Sequence, residues 1–284
     1  MTRPSGLNVD LHSHSTASDG WLSPQAVAQR AADNGVQLWA LTDHDELSGL
    51  PAARAAAESH GIQFISGVEV SVTWANRTVH IVGLNVDERN VALYDGLAYI
   101  RQGRIVRAQA IADKLEQLGI ANAYDGALAY VSNPELISRT HFARFLVDKG
   151  YSPTINDVFK RYLGDGKPAY VPMQWATLDE AVTWITQAGG KAVIAHPGRY
   201  EFTDLQFEAL FRHFKEAGGV GIEVITGSHR SDQYATYAQV ARRFGFEVSC
   251  GSDFHGPGKG RLDIGCLPPT PADLATVWQD WLTT

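Results

Sequence analysis

Cysteine is almost missing from this chain. Cys250 and Cys266 are the two present. They make no CxxC pair and no disulfide framework, which fits a reducing cytoplasm, and both are expected as small buried side chains. Long apolar runs are missing too: nothing approaches the ~20 residues of a membrane span. The opening "MTRPSGLNVD" lacks the apolar core of a secretion signal. The expected location is therefore the cytoplasm, with no membrane partner. Positive charge is in short supply, with 24 Lys and Arg against 31 Asp and Glu, a net charge of −7. That excludes the broad basic face of a protein that grips long nucleic acid. An anionic substrate stays open, because bound metal ions can invert a local field. Repeats and low-complexity stretches are absent. "GPGKG" at 256–260 lacks the GK[ST] ending and following helix of a P-loop, which leaves a loop with Lys259 as a candidate phosphate contact.

What is present suits a globular enzyme. The chain has 284 residues, 44% hydrophobic and 19% charged, enough for one large domain or one domain with an insertion. Its N-terminal part alternates strand and helix patterns. Strands are expected at 7–12, 36–42, 62–72 and 78–86, the last two joined by a turn near Asn76. A helix is expected over 23–35, with Ser23 as N-cap, Pro24 at the first position and Gly35 at the end. Residues 46–61 read as mostly helical, with a break or new start at Pro51.

From Val91 to Gly164 helical periodicity dominates, for example Ile111, Leu115 and Leu118 at i, i+4, i+7. Alternation then returns: helices over 177–190, 202–219 and 231–245, strands over 191–197, 220–226 and 246–254, and a closing helix over 270–284. Strands alternating with helices predict a mostly parallel sheet. Seven or so such strands can close into an α/β barrel, whose chemistry sits at the C-terminal strand ends. The expected organisation is a barrel in two parts, 1–90 and 166–284, around a helical insertion over 91–165 that forms part of the substrate site.

The chain has ten histidines, and six of them, His12, His14, His44, His80, His196 and His255, fall in or just after apolar strand runs. Asp19, Glu69 and Asp253 join them. Residues i and i+2 of a strand share a face, so His12 and His14 can bind one ion from one side, and Asp253 with His255 can repeat the arrangement. Imidazole and carboxylate together suit zinc, manganese or iron. Nine ligands exceed the three or four of a single catalytic zinc, so two or three ions are expected, with Glu69 the most plausible bridge. Any one of these histidines alone reads more readily as a satisfied polar group beside a loop. Nine together do not, since unpaired buried polar groups cost ~1–3 kcal/mol each.

The motifs "DLHSHSTASDG", "LWALTDHDELSG", "GVEVS", "VHIVG", "IAHPGR" and "GSDFHG", in this order, resemble the PHP family, the polymerase and histidinol phosphatase metal hydrolases. The resemblance implies a distorted (β/α)7 barrel holding two or three divalent ions, Mn²⁺ above all, with Zn²⁺ or Fe²⁺ as alternatives. It also implies a ligand set: His12, His14, Glu69 and Asp253 for one ion; Asp19, His44 and His255 for a second; Glu69, His80 and His196 for a third.

The segment 133–172 resembles the branch with nucleoside 3',5'-bisphosphate phosphatases and related 5'→3' exoribonucleases. The implied activity is a phosphomonoesterase that removes the 3'-phosphate of a nucleoside 3',5'-bisphosphate. Metal-bound water, with its pKa lowered to about 7, would give a bridging hydroxide that attacks phosphorus in line. A second phosphate needs its own cations, and arginine binds phosphate with two prongs. Arg139 and Arg199 lie beside the motifs, and Arg101 and Arg104 can share a helix face; a solvated charged face is the alternative for the latter pair. His229, just after an apolar strand, is a candidate phosphate contact or proton donor. His60 is expected to help end a helix, His213 lies inside one, and His141 is ambiguous. A 5'→3' exoribonuclease, acting on 5'-phosphorylated or short RNA, is the main alternative. A histidinol phosphatase and a non-catalytic metal- or nucleotide-binding regulator come further behind. No stable protein partner is evident.

Overall fold

A computed structural model describes residues 6–131, 133–173 and 175–281. The chain divides into two compact units, Met1–Leu97 with Ala176–Thr284, and Ala98–Trp175.

The first unit holds a sheet of seven strands among the described residues: β1 (Val9–Asp10), β2 (Leu38–Leu41), β3 (Gln63–Trp74), β4 (Arg77–Leu84), β5 (Lys191–Ile194), β6 (Gly221–Thr226) and β7 (Glu247–Gly251). Each pairs with the next in chain order. The pairs β1/β2, β2/β3, β5/β6 and β6/β7 are parallel, while β4 runs antiparallel to both neighbours. The reversal follows from the turn at Ala75 and Asn76, both at positive φ (47° and 59°), the geometry that a two-residue hairpin favours.

The two ends of the sheet meet. Leu11 N donates to Cys250 O at 3.0 Å, Asp253 N donates to His12 O at 2.9 Å, and Ser13 bridges Phe254 in parallel. The ring is thus a nearly closed, distorted barrel. Gly251 permits the closure, because a Cβ there would lie 2.1 Å from His12 Cβ. Buried Leu38, Trp39, Ala40, Leu41, Val68, Val70, Ile81 and Val193 fill the sheet faces.

The helices of this unit start where capping chemistry dictates. In α1 (Pro24–Asp33) Ser23 accepts from Ala26 N and Pro24 opens the first turn. Pro51 starts α2 (Leu50–Ser59) rather than breaking it, since the missing N–H costs nothing in a first turn. The long α3 (Val91–Gln117) begins in this unit and continues in the second.

The second unit adds α4 (Ala123–Leu128), α5 (Arg139–Asp148), α6 (Ile155–Val158) and a π turn over Phe159–Leu163. Ile111, Leu115, Phe142, Leu146, Val158 and Leu163 form its core. Leu118, expected on the same apolar stripe, is 45% exposed, because α3 has already ended and Ile120 takes the inward place. Residues 167–171 also pack on α3: Ala169 is buried, Lys114 Nζ donates to Tyr170 O and Arg107 Nε donates to Val171 O.

Back in the first unit, the Thr177–Glu180 and Thr203–Gln206 capping boxes open α7 (Leu178–Gln187) and α8 (Asp204–Glu216); α9 (Ser231–Phe244) ends at Gly245, φ 67°.

Two further expectations fail. The tail over 270–284 is no helix in its described part: Thr276 bridges Val248 and Val277 N donates to Val248 O, so turns replace the helical ladder. Residues 282–284 lie outside the described residues. Cys250 is buried but Cys266 is exposed. No helix among the described residues is long and apolar enough to cross a membrane.

Candidate metal centre

Six of the seven strands send polar side chains to one place. His12 and His14 follow β1, His44 follows β2, Glu69 lies on β3 beyond the end of β2, His80 is on β4, His196 follows β5, and Asp253 and His255 follow β7. The six histidines form a chain of ring contacts, from 4.0 Å between His14 and His255 to 6.0 Å between His44 and His255.

The donor atoms fall into groups. His12 Nε2 lies 3.1 Å from His14 Nε2, 3.3 Å from Glu69 Oε2 and 3.6 Å from Asp253 Oδ1; His14 Nε2 lies 3.3 Å and 3.4 Å from the same two oxygens. An ion held tetrahedrally at ~2.0–2.1 Å spaces its ligands by about 3.3–3.4 Å, which these separations match. Asp19 faces His255 Nε2 at 3.3 Å and His44 Nε2 at 4.0 Å. Glu69 Oε1 lies 2.9 Å from both His80 Nδ1 and His196 Nε2. Asp253 and His255 thus face different groups rather than one, as the positive φ of Asp253 (54°) turns the chain between them.

Several of these atoms lack the geometry of a hydrogen bond. His14 Nδ1, His44 Nδ1, His80 Nδ1, His196 Nδ1, Glu69 Oε2 and Asp253 Oδ1 are buried without a hydrogen-bond partner among the described residues. Such atoms are costly unless something else coordinates them, and the imidazole and carboxylate donors without thiolate suit divalent manganese, iron or zinc. The residues present therefore fit a multi-metal centre.

The electrostatics agree. Burial alone would lower the His12 pKa, but the charges of Glu223, Glu69 and Asp253 outweigh it and raise it well above the ordinary value. Burial likewise opposes the Glu69 and Asp253 carboxylates, yet the surrounding imidazoles hold both well below the usual range. His196 goes the other way: burial lowers it to about 3.

Supporting groups escaped the sequence reading. Glu223, 1% exposed on β6, accepts from His12 Nδ1 at 2.8 Å and from His196 N at 2.6 Å. Asp43 accepts from Ser15 N and Ser15 Oγ, each at 2.7 Å, which secures the turn leading to Asp19. Asp45, at φ 51°, accepts from Ser71 N and Ser71 Oγ beside His44. Tyr200 donates to Ala195 O and accepts from His80 N, tying β4 to the His196 turn. The available signal was a charged residue inside an apolar run, as in "VGIEVIT".

The expected substrate residues divide between the units. Arg199, half exposed, reaches Asp253 Oδ2 at 3.1 Å and so stands at the centre. Arg101 is buried and pairs with Glu135 at 2.7 Å in the second unit. Arg104 lies over Trp175 at 4.4 Å, and Arg104, Arg107 and Arg139 line one small pocket of that unit with Ser138. Lys259 lies over Trp21, 3.9 Å from the ring centre.

His229 is buried with both ring nitrogens engaged. Gly198 N donates to Nε2 at 2.9 Å, and Nδ1 faces Val224 O at 3.3 Å. Burial lowers its pKa to about 4. In this arrangement it wedges the His196–Arg199 turn, with both ring nitrogens facing backbone groups. His141 caps α5 through Ser138, His60 ends α2, and His213 pairs with Asp179.

Comparison with known proteins identifies the family. The model of the PHP domain matches residues 10–236; Asp253 and His255 lie beyond the match but inside the same cluster. The chain is 51% identical to a 3',5'-nucleoside bisphosphate phosphatase of Chromobacterium violaceum over 96% of both chains. It is 42% identical to a 5'-3' exoribonuclease of Salmonella typhimurium, over 96% of this chain and 93% of that protein. A solved structure described as an amidohydrolase from Chromobacterium violaceum, with sulfate bound and no metal, superposes with a TM-score of 0.88 at 50% identity, covering 96% of this chain and 95% of that one. The chain belongs to the PHP domain family.

Proposed function

We propose that this chain is a metal-dependent phosphoric ester hydrolase that removes the 3'-phosphate of nucleoside 3',5'-bisphosphates, such as adenosine 3',5'-bisphosphate, to give the nucleoside 5'-monophosphate and phosphate. The observation that carries the reading is the gathering of nine imidazoles and carboxylates into ion-sized groups, six of whose buried nitrogens and oxygens have no hydrogen-bond partner among the described residues. The substrate class is supported by the 51% identity to a bisphosphate phosphatase across nearly the whole chain.

Bound divalent ions, Mn²⁺ foremost, would supply Lewis acidity and a water with its pKa lowered to about 7. The chain's own residues hold and orient. His12, His14, Glu69 and Asp253 would hold one ion, Asp19, His44 and His255 a second, and His80 and His196 with Glu69 a third. Glu69 is central because both its oxygens face imidazoles. Arg199 pairs with Asp253 at 3.1 Å and, being half exposed, has donors left for phosphoryl oxygens. Arg101, Arg104 and Arg139 are the candidates for the phosphate that does not react. His229 keeps the His196–Arg199 turn in place.

The exoribonuclease relative supports a second reading, with a 5'-phosphorylated or short RNA as the substrate. Phosphate release from adenosine 3',5'-bisphosphate, adenosine 5'-monophosphate and histidinol phosphate, measured with Mn²⁺ beside shortening of a 5'-phosphorylated oligoribonucleotide, separates the readings. Release from the bisphosphate alone is expected. Fast shortening of the oligonucleotide without release from the bisphosphate would reverse the order.

A further inference from the structure

Glu223 is a buried carboxylate that belongs to none of the ligand groups. It is 1% exposed, in the middle of the apolar strand β6. Its two oxygens have separate duties: Oε1 lies 2.8 Å from His12 Nδ1, and Oε2 accepts the backbone N–H of His196 at 2.6 Å. The β6/β7 register shifts between Glu223 and Ile225, and such irregularities re-aim side chains beside sites. His196 needs the help, because its φ of 27° is one that side-chain-bearing residues rarely adopt.

We propose that Glu223 is the positioning residue that sets the metal shells of His12 and His196 together. Oε2 can only accept, since its partner is a backbone N–H; with Oε1 accepting as well, the proton of His12 sits on Nδ1 and the Nε2 lone pair is left for the ion. The other oxygen fixes the strained turn that aims His196 Nε2 at Glu69. One side chain on β6 thereby couples ligands that follow β1 and β5, and its loss disturbs more than one ion position.

The inference rests on the reading of the nine residues as a metal centre. Glu223→Gln is the test variant: it keeps the size, but whichever way the amide turns, its NH₂ faces either His12 Nδ1–H or His196 N–H. Mn²⁺ binding by equilibrium dialysis and metal analysis, far-UV circular dichroism of the metal-free protein, and ¹⁵N spectra of histidine in the Zn²⁺-loaded chain provide the readouts. The variant is expected to keep the native circular dichroism spectrum, to bind Mn²⁺ ~10–100-fold more weakly, the usual effect of losing such a partner, and to lose more than one ion equivalent at limiting metal. A folded variant that binds within about threefold of the unmodified chain, well short of that range, overturns the inference.

If the variant does not fold, the unmodified Zn²⁺-loaded chain decides. His12 protonated on Nδ1 and metallated on Nε2 supports the inference; the reverse overturns it. An unmodified chain that takes up no metal refutes the metal centre itself, a different outcome from a Glu223→Gln protein that binds normally.

Discussion

Gly198 N–H points at His229 Nε2, and Val224 O faces its Nδ1, so this imidazole is satisfied only when neutral. Protonation would set two donors against each other inside a buried pocket. The folded pKa, lowered to about 4 by burial, lies below the ~6.5 of an unfolded histidine. The unfolded chain therefore binds the extra proton first, and the His229 contribution to stability is complete above about pH 6.5 and is lost as pH falls through 4. An NMR titration of the His229 ring is expected to show a midpoint near 4; a midpoint at 6.5 or above would place the ring in solvent. His12, His14 and His44 behave in the opposite sense. Burial opposes their charged forms, but neighbouring carboxylates raise all three in the metal-free chain. A metal must displace those protons, so Mn²⁺ affinity should rise from pH 6 to pH 8 with proton release, measured by calorimetry in buffers of different ionisation enthalpy. Flat affinity across that range would count against imidazole ligation. His12→Ala or Asp253→Ala should lose bound Mn²⁺ and more than ~100-fold of phosphatase kcat/KM, above the usual cost of a supporting partner, while circular dichroism stays native. Unchanged metal content and rate in both variants would remove them from the site.

At the scale of elements, the barrel closes where β7 approaches the stretch after β1, and Gly251 sets that approach. A Cβ there would meet His12 N at 2.6 Å and His12 Cβ at 2.1 Å, and backbone cannot yield as a long side chain can. Overpacking of this kind costs about 1–3 kcal/mol, and at ~2–4 °C per kcal/mol for a protein of this size Gly251→Ala should lower Tm by several degrees. Because His12 moves with it, metal content should fall as well; a variant with unchanged Tm and full metal would contradict the close approach. The elements that sequence reads well are those whose signals are local. Ser23–Pro24 and the Thr177–Glu180 box mark helix starts by their own chemistry. The tail misleads because its apolar residues serve a non-local purpose: Val277 and Trp278 are buried while Thr276 pairs with Val248. Leu118 misleads because periodicity does not mark where α3 stops.

At the scale of the molecule, the ligand cluster was readable because eight of the nine candidates sit in or just after an apolar strand, with Asp19 in the turn that follows the first, and a barrel converges such positions on one end. Glu223 was not readable in the same way. A glutamate in "VGIEVIT" looks like any strand residue until the fold puts His12 on one oxygen and His196 on the other. His229 shows the converse, a residue at the right strand end whose ring turns back to hold a loop. The substrate is legible only through resemblance to relatives named for bisphosphates or RNA, since the ligand cluster points to metal-assisted hydrolysis and specifies no substrate.

The central claim is that these strand ends form one multi-metal centre, and crystals grown with Mn²⁺ test it most directly. Anomalous difference maps should show two or three peaks, one enclosed by His12, His14, Glu69 and Asp253 and another beside Asp19, His44 and His255. A Mn²⁺-saturated crystal with no peak among these residues would contradict it.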